Sequence, residues 1–368
     1  MQIAKFDPKE LEVKEVVKAF GKYPDVKVYN TPLNQHDHGV AAFKREPWWQ
    51  MYELMDIRLF GPDILADNIA RAFCMENKPF DALTQGGGKD MFGIEWEYVA
   101  EVGGSMVRPG NPLFSDISEW REKVQWPDVE SWDWEGSAKL NNGTYLKPDA
   151  FNQFWFQTGW FERLISMMDF EDAALALFDE DSKDETHAFF DKLTDTYINI
   201  FDHVTRYFPE IHLYFIHDDW GSQKSPFFSP AICEEMIVPY MKRLTDFLHS
   251  KGKFCELHSC GCIIQQVPNM IAAGWDAWSG QPMNDSHAIY AAHGDKILIG
   301  VSPEDFDPVN DSEERQREVA RNYANAFCNP NKPSYFGMYW NNKRNGAEAL
   351  TGAFREELYA ASRENYGK

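Results

Sequence analysis

Basic residues are scarce in this chain. Over 368 residues, 36 lysines and arginines stand against 58 aspartates and glutamates, a formal charge of −22. Such a field repels phosphate backbones and anionic lipid, which argues against nucleic acid or a membrane surface as a partner. It suits a neutral small substrate or a more basic protein. Long apolar runs are also missing, and none approaches the roughly 20 residues that cross a bilayer. The opening "MQIAKFDPKELEVKEVVKAF" lacks the apolar core and small-residue cleavage site of a secretory leader. These absences lead us to expect a cytoplasmic protein. Cysteine is sparse: Cys74, Cys233, Cys255, Cys260, Cys262 and Cys328 are all there is. In such a setting thiols serve more often as metal ligands or core residues than in disulfides. No paired Cys-x-x-Cys occurs, which disfavours a closed structural zinc site. The glycine-rich "TQGGGKDMFG" does not have G-x-G-x-x-G spacing, which weighs against an open dinucleotide-binding sheet.

What is present is ample core material, with 43% hydrophobic and 15% aromatic residues. Residues 1–79 read as a helical N-terminal extension, with turn punctuation at "YNTPLN". From residue 80 the texture changes, and "TQGGGKDMFGIEWEYVAEVGGSMVRPGNPLF" reads as an inserted, hairpin-like excursion. Beyond residue 150 strands and helices alternate. "AFNQFWFQ", "EIHLYFIHDD", "KFCELHSC", "WDAWSG", "KILIGVS" and "PSYFGMYW" read as strands separated by helical patterns such as "DETHAFFDKLTDTYINIFDHVTRYF". Repeated strand–helix units with short apolar strands predict an α/β fold closed into a TIM (β/α)8 barrel over residues 80–368. Absence of repeats or low-complexity linkers makes the whole chain, 1–368, one elaborated domain in this reading.

The stretch "FCELHSCGCI" (254–263) concentrates the chemistry. On a strand, alternation puts Glu256, His258 and Cys260 on one face and Cys255, Leu257 and Ser259 on the other. A Glu/His/Cys face is costly in a packed core unless those groups bind something, and barrel enzymes place catalysis at the carboxyl ends of strands. Imidazole and thiolate two residues apart, before a turn at Gly261, can converge on one Zn²⁺. A catalytic zinc needs a third protein ligand. Glu256 is a candidate only if the strand bends, since it lies about 13 Å from Cys260 along an extended strand. Asp218 and Asp219, ending the preceding strand, are others, and the sequence does not choose between them.

The segments "DMFGIEW" (90–96), "HDDWGSQ" (217–223) with "SP" at 229–230, "PYMKRLTDFLHSKG", and above all "HSCG" (258–261) followed by "VPNMIAAGWDAWSGQP" resemble the uroporphyrinogen decarboxylase superfamily, most closely its corrinoid-linked methyltransferase (O-demethylase) branch. That resemblance spans residues 80–368. It implies a TIM barrel and a zinc ion held by His258 and Cys260. Members that methylate coenzyme M carry a further cysteine after the last strand, where this chain reads "FGMYWNN". The decarboxylase proper carries an arginine-rich "RQAGR", where this chain has "REPWWQMYELMDIR". Both departures disfavour those two activities. The implied reaction is Lewis-acid methyl transfer from a small donor to the Co(I) centre of a separate corrinoid protein, since no segment here reads as a cobalamin-binding domain. Asp218, Asp219 and His217 are the candidates for orienting substrate or moving a proton, against a plain reading as loop and helix-capping groups. Trp48, Trp155, Gln281 and Tyr339 are candidate substrate contacts, and the aromatic content favours a methoxylated aromatic donor. The expected partners are the corrinoid protein and a second copy of the chain in a homodimer. The alternative is a metal-free decarboxylase or lyase, which predicts cations such as Lys89, Arg108 and Lys343 converging on a carboxylate.

Overall fold

The computed structural model describes residues 5–17, 25–101, 103–337 and 351–367. The strands in chain order are β1 (Val13–Val17), β2 (Val26–Tyr29), β3 (Ile57–Phe60), β4 (Gly88–Lys89), β5 (Glu95–Val99) and β6 (Gly104–Met106). They continue as β7 (Phe151–Phe156), β8 (Ile211–His217), β9 (Phe254–His258), β10 (Ala277–Trp278), β11 (Leu298–Val301) and β12 (Tyr335–Phe336). The chain divides into two compact units, one of Met1–Arg58, Asp149–Phe151 and Asp276–Lys368, the other of Leu59–Pro148 and Asn152–Trp275.

In the second unit β7, β8 and β9 pair in parallel, each with the next strand in sequence. The reason for their two faces is legible in side-chain size. Phe154, Phe156, Tyr214 and Ile216 point to the helical layer, where Phe154 and Phe156 meet Phe201 at 5.6 and 5.1 Å between ring centroids. Phe201 belongs to the helix Lys183–Tyr207, whose Phe189, Leu193, Tyr197, Ile200 and Val204 recur at helical spacing and are all fully buried. The opposite face of the three strands carries Gln153 and Trp155, then Phe215 and His217, then Glu256 and His258. The same unit holds the expected excursion, built as a three-stranded antiparallel sheet β4-β5-β6. Beneath it Arg163 is wholly buried between two carboxylates, Asp67 and Asp90, with its guanidinium 4.6 Å over the ring of Phe92.

In the first unit β10, β11 and β12 are likewise parallel and adjacent in chain order. The helices Glu313–Phe327 and Ala353–Tyr366 belong to it. Arg363 is buried there and grips Glu10 through two hydrogen bonds of 2.8 and 2.9 Å.

In neither unit does the strand order reverse, which is how a singly wound α/β sheet differs from a doubly wound one. The fold is α/β with seven parallel strands among the described residues, compatible with a TIM-like barrel. Full closure into eight strands is not observed among the described residues. The N-terminal extension is not purely helical either. "VKEVV" is dominated by β-branched valine and pairs antiparallel with "VKVY" as a separate hairpin, while β3 joins the parallel set from within residues 1–79. No helix among the described residues is long and apolar enough to cross a membrane.

Candidate metal centre

Parallel pairing of β8 with β9 sets His217 directly beside His258, and the two imidazoles stack with centroids 4.8 Å apart, one strand spacing. Beyond the strands the backbones stay stitched together. Asp218 N–H donates to the His258 carbonyl at 2.9 Å, and Cys260 N–H donates to Asp219 Oδ1 at 2.6 Å. Cys262 N–H donates to the Ser222 carbonyl at 2.8 Å. Gly261 makes the turn at φ 96°, in the left-handed region, and a Cβ there would sit 2.3 Å from the backbone of Gly221. Glycine is therefore required on both counts.

The result is a group of four donors, His217, Asp219, His258 and Cys260, with one ligand atom from each lying within 4.8 Å of the others. His258 Nε2 is 3.4 Å from Cys260 Sγ, and His217 Nε2 is 3.7 Å from Asp219 Oδ1. Ligand atoms around a tetrahedral zinc, with bonds of about 2.0–2.3 Å, stand about 3.3–3.6 Å apart. The 3.4 and 3.7 Å separations are near those of such a shell, the group as a whole reaches 4.8 Å and would contract around an ion, and a mixed nitrogen, sulfur and oxygen set suits zinc.

The electrostatics of His258 and Asp219 agree with a ligand role. Burial, aided by the neighbouring His217, pushes the His258 imidazole down to about 3, so its lone pair is available at neutral pH. Burial and the Asp219 charge push the Cys260 thiol up, so it keeps its proton until a cation arrives. Burial raises Asp219, but His217, His258 and the Cys260 N–H outweigh it and hold the carboxylate ionised. His217 is lowered by burial and raised further by Glu162 and Asp219, with a net rise.

Glu162 is a residue the sequence reading missed. It sits in the first turn of the helix Trp160–Phe178, and its Oε2 lies 2.5 Å from His217 Nδ1. A carboxylate on one ring nitrogen fixes the tautomer that offers the other nitrogen to a metal. Arg71 in turn holds Glu162 at 3.3 Å and covers the Trp96 ring at 4.8 Å. Neither partner carries a local motif; only the folded chain brings positions 71, 162 and 217 together.

The remaining candidates fall elsewhere. Asp218 is wholly buried and turned to the backbone: it accepts from Glu162 N–H at 2.9 Å, Phe161 N–H at 3.3 Å and Trp220 Nε1–H at 3.0 Å. Burial, followed by the Glu162 charge, pushes its carboxyl up to about 7. It anchors the start of the helix Trp160–Phe178. Glu256 lies one layer below the cluster, opposite Phe215, and its Oε2 accepts from Gln153 Nε2 at 2.9 Å. The strand does not bend to bring it to Cys260. Trp155 is sandwiched between Phe73 (4.3 Å) and Phe215 (4.2 Å), and Phe215 stacks on His258 at 5.5 Å. An aromatic column thus runs up to the cluster. Phe154, Phe156 and Trp160, nearby in sequence, are core. Trp48 and Gln281 belong to the first unit, where Trp48 lies under the Arg363 guanidinium and the Gln281 carbonyl accepts from Asn284. Tyr339 lies outside the described residues. A cavity of about 840 Å³ lined by Trp96, Tyr98, Arg108 and Leu113 includes none of the four donors.

An α/β chain with a half-buried group of metal-type donors at the carboxyl ends of adjacent parallel strands is thus defined by geometry alone. Residues 153–326 match the model of the uroporphyrinogen decarboxylase (URO-D) family, a segment that contains all four donors and Glu162. The match covers just under half of the chain and is a likeness to that family over this segment. No curated protein matches the chain. Among solved structures, the spore cortex-lytic enzyme of Bacillus megaterium shares 11% identity over 64% of this chain and 52% of its own, with a TM-score of 0.27. The endo-beta-1,4-mannanase of Thermotoga petrophila shares 12% over 69% and 68%, with a TM-score of 0.34. At these scores neither overlap informs the fold or the chemistry.

Proposed function

We propose that this chain is a zinc-dependent methyltransferase that takes a methyl group from a small donor, an aromatic methyl ether, and passes it to the Co(I) centre of a separate corrinoid protein. The observation that carries the reading is the convergence of His217, Asp219, His258 and Cys260 within 4.8 Å at the strand ends. When bound, zinc supplies Lewis acidity toward the leaving heteroatom. The chain's own residues do the rest. His258 and Cys260 would hold the cation, together with Asp219 and His217. Glu162 fixes the His217 ring, and Arg71 fixes Glu162. The corrinoid of the partner protein would supply the acceptor for the methyl group, and the oxygen that loses it would keep the bonding electron pair and take up a proton. The stacked column of Phe73, Trp155 and Phe215 that runs up to His258 is the feature that favours an aromatic donor.

The decarboxylase reading needs free cations to hold a carboxylate. Arg71 is the cation bonded into the cluster, and it is committed to Glu162. Arg108 is exposed and paired with Glu97, Lys89 is exposed, and Lys343 lies outside the described residues. Metal analysis of protein purified without chelator, followed by demethylation of a panel of methyl donors with a reduced corrinoid protein, separates the two. Stoichiometric zinc and turnover are expected; protein active without zinc would sink the methyltransferase reading.

A further inference from the structure

We propose that β1 (Val13–Val17) is the dimerisation strand of this protein, pairing antiparallel with β1 of a second copy to build a four-stranded sheet. The interface is independent of the metal centre and of the methyl transfer proposed above. Among the described residues β1 is paired along one edge only, with β2. The hairpin is held from the β2 side. Arg355 Nη1 donates to the Lys27 carbonyl at 2.8 Å and the guanidinium covers the Tyr29 ring at 4.8 Å, while Lys27 Nζ lies 3.4 Å from Glu356. The helix Ala353–Tyr366 thus carries β2, which is half-buried, and leaves all five residues of β1 exposed. Val13, Val16 and Val17 are 47, 52 and 48% exposed. A two-stranded ribbon is marginal in water, and exposed β-branched side chains on an outer strand make a template for a further strand.

The order of the residues says which strand that is. Lys14 and Glu15 are adjacent. In an antiparallel pair whose two-fold axis passes between them, position 14 of each copy stands opposite position 15 of the other, and position 13 opposite position 16. Lysine then faces glutamate twice and valine faces valine twice, the cross-strand pairs that stabilise a sheet. A lysine and a bulge, which β1 has between Val13 and Glu15, usually blunt an edge strand. Here the neighbouring glutamate answers the lysine, so the edge refuses other strands and matches its own copy. The long-range field agrees. Two chains of charge −22 repel, and residues 13–29 are where the repulsion is weakest, with Lys14, Lys18, Lys22 and Lys27 against Glu15 and Asp25. One short strand per copy buries less than the roughly 1,200 Å² of a standard interface, so the dimer is a reversible one.

Sedimentation velocity of the whole chain over a concentration series tests this. Wild type is expected to move from monomer to dimer as concentration rises. Lys14→Glu and Glu15→Lys each set like charges opposite one another at both positions, and each is expected to weaken the dimer about 10-fold. An equimolar mixture of these two variants restores opposite charges across the axis and is expected to dimerise as wild type does, and so is the variant carrying both substitutions. Circular dichroism of every variant is expected to match wild type, since both side chains are exposed. Wild type that stays monomeric at every concentration would overturn the proposal. So would a dimer of equal strength in both single variants, or a mixture no stronger than either variant alone.

Discussion

Two histidines, one in each unit, are buried to nearly the same degree, and both are pushed down to about 3 by that burial. Their surroundings differ. His38 stacks on Trp49 at 3.7 Å, and its Nε2 lies 3.0 Å from the Trp49 carbonyl, a partner that completes it. His258 meets a second imidazole and a thiol, with a carboxylate in the same group. Burial and depressed basicity are common to both, so neither marks a functional histidine. What marks it is a neighbourhood of further lone-pair donors, a set that a cation completes better than any of its members can complete another.

Exchanging the two residues' fates is the strongest way to break that contrast. His258→Ala and Cys260→Ala are each expected to lower methyl transfer by at least ~10³-fold and to leave zinc far below stoichiometric, read by turnover and metal analysis. His38→Ala is expected to keep zinc and to lose about 2–4 kcal/mol of stability in urea unfolding. Zinc retained in both His258→Ala and Cys260→Ala would refute the ligand assignment. Arg163 extends the contrast to charge, because its cluster with Asp67 and Asp90 is closed by opposite signs. Arg163→Met strands two buried carboxylates and is expected to cost about 3–5 kcal/mol, with zinc per folded molecule unchanged. A smaller effect sharpens the site itself. Glu162→Gln is expected to weaken zinc 10–100-fold, measured by competition with a chromophoric chelator. An unchanged affinity would make Glu162 an ordinary ion-pair partner of Arg71.

The last contrast is read in pH. His38 has its folded value at about 3 against an ordinary 6.5, so the unfolded chain binds a proton that the fold refuses. Its contribution to stability is complete above about pH 6.5 and is lost as pH falls towards 3, at up to ~1.4 kcal/mol per unit. His38→Gln is expected to flatten the acid side of the stability curve. A slope equal to wild type would show that His38 is not the group being titrated.

These contrasts also show what the sequence could and could not reveal. His258 and Cys260 were legible because they lie two residues apart on one strand, where alternation alone assigns their face. Asp219 was legible as a strand-end carboxylate, though not as distinct from Asp218, since the choice is made by which of them turns to the amides of Phe161 and Glu162. Glu256 was on the expected face but one layer too deep, a distance set by strand geometry rather than residue type. Arg71 and Glu162 were invisible, because only the start of one helix and the ion pair behind it bring them to His217. The strand–helix rhythm after residue 150 was readable from periodicity. The N-terminal hairpin was not, because "VKEVVKAF" carries apolar residues at spacings that serve a helix as well as a strand.

The close approach of Gly261 to Gly221 has a consequence for how this site can change over time. A methyl group at position 261 has nowhere to go, and one at position 221 would meet the Ile263 side chain at 2.5 Å. Donors around the ion can be traded for other donors, one amino acid at a time, and the cluster still closes. The two glycines admit no such stepwise route. In a saturation library of this chain, positions 221 and 261 should therefore tolerate fewer replacements than the histidines and the cysteine they hold in place, even when the selection is for folding alone.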